Sequence, residues 1–288
     1  MEASFPVSRR IDARIDAVYG ELPPQERRVA DFLLEHLGDL AIFSAADISR
    51  ETGVSKATVS RIFRKLGFGS FGEVREHVRE LRHRGIPTVA PVSSGDNAGA
   101  TALQRHEAQE RENLSKMVQA LEGGRLQQAV QLISSANRVT IVGLRNGFPL
   151  ALHLRQQLTQ IRGDVGLVPF PGQSMGEELA GLQKGDLVIA LGFRRRPALF
   201  GKVVERTAAI DAGLLLIGDS TARHYAGKAD AWIECPQEAD GAFDSYAAAM
   251  SLISILANGV LNVRHTKGHR RISRISAAYE EMGELEEL

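Results

Sequence analysis

Five short runs of Val, Ile and Leu, each set between segments long enough to form a helix, constrain this chain more than any other feature. They lie at 138–143, 166–170, 186–192, 214–218 and 231–235. Strands that are apolar at nearly every position must be covered on both faces, and helix-length connections between them make the sheet parallel. Residues 101–265 therefore read as an α/β domain, a five-stranded parallel doubly wound sheet with the flavodoxin-like order 2-1-3-4-5.

Ahead of this region only helical spacing occurs. Ile11, Ile15, Val18 and Tyr19 share one face, and Val29, Phe32, Leu33 and Leu37 share another. Between the two patterns, residues 85–100 (with IPTVAPVSSGDNAGA at 86–100) combine Pro, Gly and Ser without either period and read as a linker. The expected organisation is an all-α domain over 1–84, the linker, the α/β domain over 101–265 and a helical tail over 266–288. The α/β domain opens with an amphipathic helix over 101–122 carrying Leu103, Leu114, Met117, Val118 and Leu121, and the tail, basic first and acidic last, reads as a helix that frays.

Composition narrows the function classes. Of 288 residues 43% are hydrophobic and 24% charged, which suits two folded domains and excludes a disordered or collagen-like chain. Lys plus Arg (35) balances Asp plus Glu (35), so any nucleic-acid binding must be local rather than a property of the whole chain. The one cysteine, Cys235, forms no internal disulfide and supplies no multi-cysteine metal site. His265 and His269 are spaced four apart but lack a third ligand, so neither a metal nor a cofactor is expected. With no signal-peptide core and no run of eighteen apolar residues, the expected location is the cytoplasm, without a membrane partner.

The stretch 43–68 carries the sharpest local signal. Ser44 with Asp47 three residues on caps one helix, Gly53 ends it, and Ser55 caps a second that runs to about Lys65. Val59, Ile62, Phe63 and Leu66 follow helical spacing toward a core, together with Ile48 and Val54. The start and open face of the second helix hold Ser55, Lys56, Ala57, Thr58, Ser60, Arg61 and Arg64, small or cationic residues that a DNA major groove admits. Residues 50–84 contain nine basic and four acidic side chains, so a basic half-domain sits inside the neutral whole. A further helix is announced by a capping box of Ser70 and Glu73, with Val74, Val78 and Leu81 as its stripe.

The run LPPQERRVADFLL at 22–34, followed by ADISRETGVSKATVSRIFRKLGFGSFGEVR, resembles the N-terminal domain of the RpiR family of bacterial transcription regulators. The order of domains is similar too, since that family continues into an SIS (sugar isomerase) domain that senses phosphosugars. The resemblance implies a ligand-responsive, DNA-binding regulator of a carbohydrate or small organic acid operon. It also implies an operator of double-stranded DNA as partner and a homodimer or homotetramer.

In a doubly wound sheet the ligand crevice lies beyond the strand ends where the order reverses. Here those ends are Gly143-Leu144-Arg145-Asn146-Gly147, opening a helix at about Phe148, and Gly192-Phe193-Arg194-Arg195-Arg196-Pro197, with Pro197 in the first turn of the next helix. The SIS family's usual loops resemble G-x-G-x-S and S-x-S-G-x-T, whose hydroxyls hold a sugar phosphate. This chain has GLRNG and LGFRRRP instead, and Arg223, in 218–230, stands where that family usually has a serine. Guanidinium groups prefer planar anions, so the expected effector is a small anionic metabolite, phosphosugar or carboxylate. Its candidate site is Gly143, Arg145, Asn146, Gly147, Arg194, Arg195, Arg196, Ser220, Arg223, Asp244 and Ser245, the last two with capping as the competing role. The alternative is an SIS-fold sugar-phosphate isomerase or lyase. Its acid–base candidates would be Glu177, Glu178, His224 and Glu238, but no spacing pairs them, so no catalytic residue is expected.

Overall fold

The computed structural model describes residues 11–36, 40, 43–83, 98–170, 172, 174–239 and 243–284. They fall into two compact units, one within Met1–His106 with Ala239–Asp244 and one within Glu107–Glu238 with Ser245–Leu288.

The first unit is helical: α1 (Ile11–Val18), a 3₁₀ turn at Tyr19–Glu21, α2 (Pro24–Glu35), α3 (Ala45–Thr52), α4 (Lys56–Lys65) and α5 (Phe71–His83). α2 begins with Pro24, whose missing N–H costs nothing in a first turn. The core gathers the periodic residues Ile15, Val29, Leu33, Ile48, Val59, Ile62 and Leu66, each with no exposed surface. Two charged groups are drawn in with partners. Arg14 donates to the Leu66 carbonyl at 3.0 Å with its guanidinium 4.5 Å from the centre of the Phe68 ring, and Glu26 pairs with Lys65 at 2.7 Å. Leu37 lies outside the described residues, as does all of the expected linker except 98–100, which is already helical.

α6 (Ala98–Ala120) begins among the residues of the first unit and ends among those of the second, which continues with α7 (Arg125–Ser135), β1 (Val139–Gly143), α8 (Gly147–Ile161), β2 (Val165–Val168), α9 (Met175–Ala180), β3 (Leu187–Gly192), α10 (Leu199–Ala209), β4 (Gly213–Gly218), a 3₁₀ segment (Ser220–Lys228), β5 (Ala231–Glu234), α11 (Ala247–Val263) and α12 (His265–Met282). The five strands are parallel in the order β2-β1-β3-β4-β5. Side chains alternate between two layers. Ile141, Ile189, Leu215 and Ile233 join α7, α8 and α11, whereas Val142, Val188, Ala190 and Leu216 join Phe200, Val203 and Val204 of α10.

Three strands end on glycine at the same edge, and each glycine is crowded. A Cβ on Gly143 would stand 2.4 Å from the Gly147 carbonyl oxygen, one on Gly192 2.6 Å from Phe200 Cζ, and one on Gly218 2.3 Å from the Gly192 carbonyl oxygen. The backbones at this edge are packed closer than any side chain permits.

Two expectations change. α6 starts at Ala98, earlier than 101, and only part of its apolar stripe is used: Met117 and Leu121 are buried, while Leu103 (72%) and Val118 (51%) are exposed. The terminal helix does not fray over its described length. α12 packs on α8, with Gly268 buried against Leu261 and Ile161, Arg271 Nε donating to the Thr159 carbonyl at 2.7 Å, and Gly283 ending it in left-handed conformation.

Candidate functional site

In the first unit, α3 and α4 meet through a turn that the local sequence dictates. The Ser44 hydroxyl accepts from Asp47 N–H and the Asp47 carboxylate accepts from Ser44 N–H at 2.9 Å, closing the box; bonds from Ser44 hold the Asp47 carboxyl below the usual range. Gly53 takes φ +65°, a conformation that costs a side-chain-bearing residue about 1 kcal/mol, and Ser55 then caps α4 by accepting from Thr58 N–H at 3.2 Å. Lys56, Ala57, Ser60, Arg61 and Arg64 are exposed on one side of α4, while Val59, Ile62 and Phe63 are buried on the other.

Thr58 departs from the expectation. It is 1% exposed, its hydroxyl lies 3.0 Å from that of Ser55, and it accepts from Arg61 at 3.1 Å. Its place is under the helix start rather than on the open face, and Ser55 is likewise occupied as a cap. At α5, Ser70 Oγ accepts from Glu73 N–H at 3.3 Å, but the Glu73 carboxylate reaches Gly69 N–H at 2.8 Å instead of closing the expected box on Ser70.

In the second unit the crevice beyond β1 and β3 holds the two loops named from the sequence. Arg145 (φ +52°) and Arg195 (φ +66°) occupy left-handed backbone, one on each side of the point where strand order reverses. Only glycine takes this region freely, so two arginines held there mark backbone strain at one locus. α8 opens at Gly147 from Asn146 with no side-chain cap, and Asn146 Nδ2 donates to Tyr246 Oη at 3.2 Å. Tyr246 in turn packs edge-on to Phe193 at 5.5 Å.

The three arginines after β3 have separate fates. Arg196 donates to Asp219 Oδ1 at 3.1 Å, to the Gly192 carbonyl at 2.7 Å and to both the carbonyl and hydroxyl of Thr221 at 2.7 Å. Arg194 gives its backbone N–H to Asp219 Oδ2 at 3.0 Å and faces Glu238 at 3.4 Å. Arg195 has a buried Nε with no hydrogen-bond partner. Asp219, 3% exposed, is the hub: Thr221 Oγ1 and Gln237 Nε2 also donate to it, at 2.6 and 2.9 Å. Sequence reading passed over Asp219 and Gln237; the one available signal was an acid directly after the apolar run of β4.

The other candidates disperse. Pro197 precedes α10 by two residues instead of lying in its first turn. Arg223 is paired with Glu234 of β5 at 2.5 Å and lines a cavity of about 550 Å³ with Lys116, Arg125 and Trp232, none of which belongs to the β1 or β3 loops. Ser220 is exposed at the start of the 3₁₀ segment, and the Ser245 hydroxyl accepts from Ala247 N–H at 3.3 Å just ahead of α11, whose N-cap is Tyr246 without a side-chain cap bond; Asp244 is half-buried. Cys235 is fully buried, and loss of solvation together with the Asp219 charge pushes its thiol up to about 12.

Three of the four acid–base candidates are held in structural roles, and Glu178 is half-buried on α9. Glu177 completes a capping box with Ser174 on α9, His224 Nδ1 lies 2.9 Å from the Thr221 carbonyl, and Glu238 faces Arg194. Among the described residues no group of three or more His, Cys, Asp or Glu is placed to hold a metal ion, and no single helix is long and apolar enough to cross a membrane.

Residues 10–82 match the family model of the helix-turn-helix domain of the rpiR family, and residues 132–259 match the SIS domain. These two matches, in this order, place the chain in the RpiR family. Solved structures repeat the RpiR architecture. The Vibrio vulnificus NanR protein complexed with ManNAc-6P covers 95% of this chain and 99% of its own at 16% identity and a TM-score of 0.55. The sugar isomerase domain of an RpiR transcription factor from Sphaerobacter thermophilus covers 60% of this chain and 97% of its own at 17% identity and a TM-score of 0.57. Among curated proteins, the bifunctional protein glk of Burkholderia thailandensis is 27% identical over 220 residues, 75% of this RpiR-family chain, which spans 32% of that relative's length.

Proposed function

We propose that this regulator is controlled by a small anionic metabolite, phosphosugar or carboxylate, that binds at the crevice beyond β1 and β3 and alters operator binding by the helix-turn-helix domain. The observation that carries the placement is the pair of arginines, Arg145 and Arg195, held in left-handed backbone on the two loops at the reversal of strand order. Gly143, Asn146 and Gly147 bring the start of α8 to this edge; the Gly147 and Phe148 N–H groups already donate to the Leu144 and Arg145 carbonyls and Pro149 has none, so it is the positive end of the helix dipole that favours an anion. Arg194, nearly buried and facing Glu238, and Arg196, bonded to Asp219, hold the loop in shape. The NanR protein is complexed with ManNAc-6P, which makes phosphosugars the first class to try.

On the DNA side, Lys56, Ala57, Ser60, Arg61 and Arg64 are the proposed contacts, with Ser55 and Thr58 setting the start of the helix that presents them. A homodimer or homotetramer in the cytoplasm would place two such helices about 34–36 Å apart, one turn of DNA. The reading is a regulator rather than an enzyme, since Glu177 is held in a capping box, Glu238 faces Arg194 and His224 Nδ1 lies against the Thr221 carbonyl.

The test is a thermal-shift panel of phosphosugars and small carboxylic acids against the wild type and Arg145→Ala/Arg195→Ala. The expected result is one ligand that raises the Tm of the wild type and leaves the variant's Tm unmoved. A ligand that stabilises both equally places the site elsewhere.

A further inference from the structure

α12 turns one face to α8 and the opposite face to solvent. Gly268 is buried, and Ile272, Ile275 and Tyr279 follow it at helical spacing, half-buried. Ala277 stands opposite this stripe, and Arg270, Arg274, Glu280 and Glu281 lie within about 60° of it around the helix at 3.6 residues per turn. All five are exposed.

The charges on this face run against the helix. Its cations, Lys267, Arg270 and Arg274, occupy the N-terminal half. Glu280 and Glu281 fill the last turn, with Glu284 just past the Gly283 cap, and there is no acid in the first turn and no base in the last. A helix N-terminus favours anions and a C-terminus cations, so both ends are loaded unfavourably. Arg270 and Arg274 also sit at i,i+4, where like charges repel. Among the described residues none of these six side chains has an ion-pair partner. Such a distribution disfavours a solitary helix and suits a partner carrying the same charges in reverse order.

We propose that α12 docks against α12 of a second copy of this chain, antiparallel and centred on Ala277. A two-fold axis at Ala277 sets position 277+n of one copy against 277−n of the other. Arg274 then faces Glu280, twice by symmetry, with Glu281 in reach of Arg270 and Arg274 and Glu284, past the helix end, adding negative charge on the side of Arg270. The methyl group of Ala277 at the crossing lets the axes approach to about 8 Å, and antiparallel dipoles attract. The pairing names a surface for the oligomer proposed above; it rests on that reading only for its use in regulation, not for its geometry.

Two full-length variants test it, each with charges reversed on one half of the face: Arg270→Glu/Arg274→Glu and Glu280→Arg/Glu284→Arg. Alone, each sets like against like. Sedimentation should give each variant half the wild-type mass at the same concentration, with unchanged far-UV circular dichroism. Equimolar mixing should restore the wild-type mass, because positions 270 and 284, and 274 and 280, again carry opposite charges across the pair. A variant that keeps the wild-type mass alone, a mixture that fails to regain it, or a wild type that stays at the 31.3 kDa of one chain at every concentration overturns the pairing. Mass is read without DNA or ligand, so this outcome stands apart from that of the thermal-shift panel.

Discussion

Arg196 and Asp219 meet at 3.1 Å just beyond β3 and β4, and between them they fix the loop that carries the other two arginines. Both side chains are nearly buried, at 15% and 5% exposure, and Asp219 takes four donors drawn from the segments that follow β3, β4 and β5. Buried charge of this kind is tolerable only when its lone pairs are filled. Arg196 is therefore a strut of the crevice, and the ligand reading passes to its neighbours.

Removing the hub leaves the Arg196 guanidinium buried without its carboxylate. Asp219→Ala is expected to destabilise the chain by about 3–5 kcal/mol, measured by urea denaturation. A loss below about 1 kcal/mol would contradict the role given to Asp219.

The Cys235 thiol makes a pH prediction. An unfolded thiol ionises near its ordinary value of about 8.5, while the folded one holds its proton up to about 12. Above pH 8.5 the unfolded state binds fewer protons than the folded state, so the contribution of this group is complete below that pH and is lost as pH rises toward 12. Relative to Cys235→Ala, the wild type is expected to lose up to about 1.4 kcal/mol per pH unit between about pH 9 and 10.5. Parallel stability curves for the two proteins would falsify this. Native protein should also resist thiol reagents that label it fully in denaturant.

The open face of α4 is tested by Lys56→Ala/Ser60→Ala/Arg61→Ala/Arg64→Ala. All four side chains are exposed, so Tm should change little while operator affinity falls at least about tenfold and the salt slope becomes shallower by up to about three. Thr58→Ala should do the reverse, lowering Tm by roughly 1 kcal/mol equivalent because it removes a buried hydroxyl bonded to Ser55 and Arg61. Unaltered DNA binding by the quadruple variant would remove α4 from the interface.

The sheet was legible because its signal is local and redundant: each strand is a continuous apolar run, helix-length crossovers make the strands parallel, and five of them suit the order 2-1-3-4-5. The caps at Ser44 and Ser55 were legible for the same reason, since partner and cap lie three residues apart. Thr58 was misplaced when grouped by polarity, although its position four residues before Ile62 already set it on the buried stripe. What the chain alone withheld was long-range. Nothing near Arg223 announces Glu234, nothing near Arg196 announces Thr221, and the mixed charges of α12 hide the stripe that seats it on α8. Of the crevice, the positions of the two loops were readable, whereas the division of three adjacent arginines into two nearly buried, paired side chains and one residue in left-handed backbone required the fold.

The glycines that end β1, β3 and β4 have an evolutionary consequence. With a Cβ at Gly143, Gly192 or Gly218 set within 2.6 Å of other atoms, substitution at the strand ends is closed off, and the floor of the crevice stays bare backbone. Change in the proposed ligand contacts can therefore accumulate only in the loops beyond those ends. A lineage can alter those loops while leaving the sheet beneath untouched.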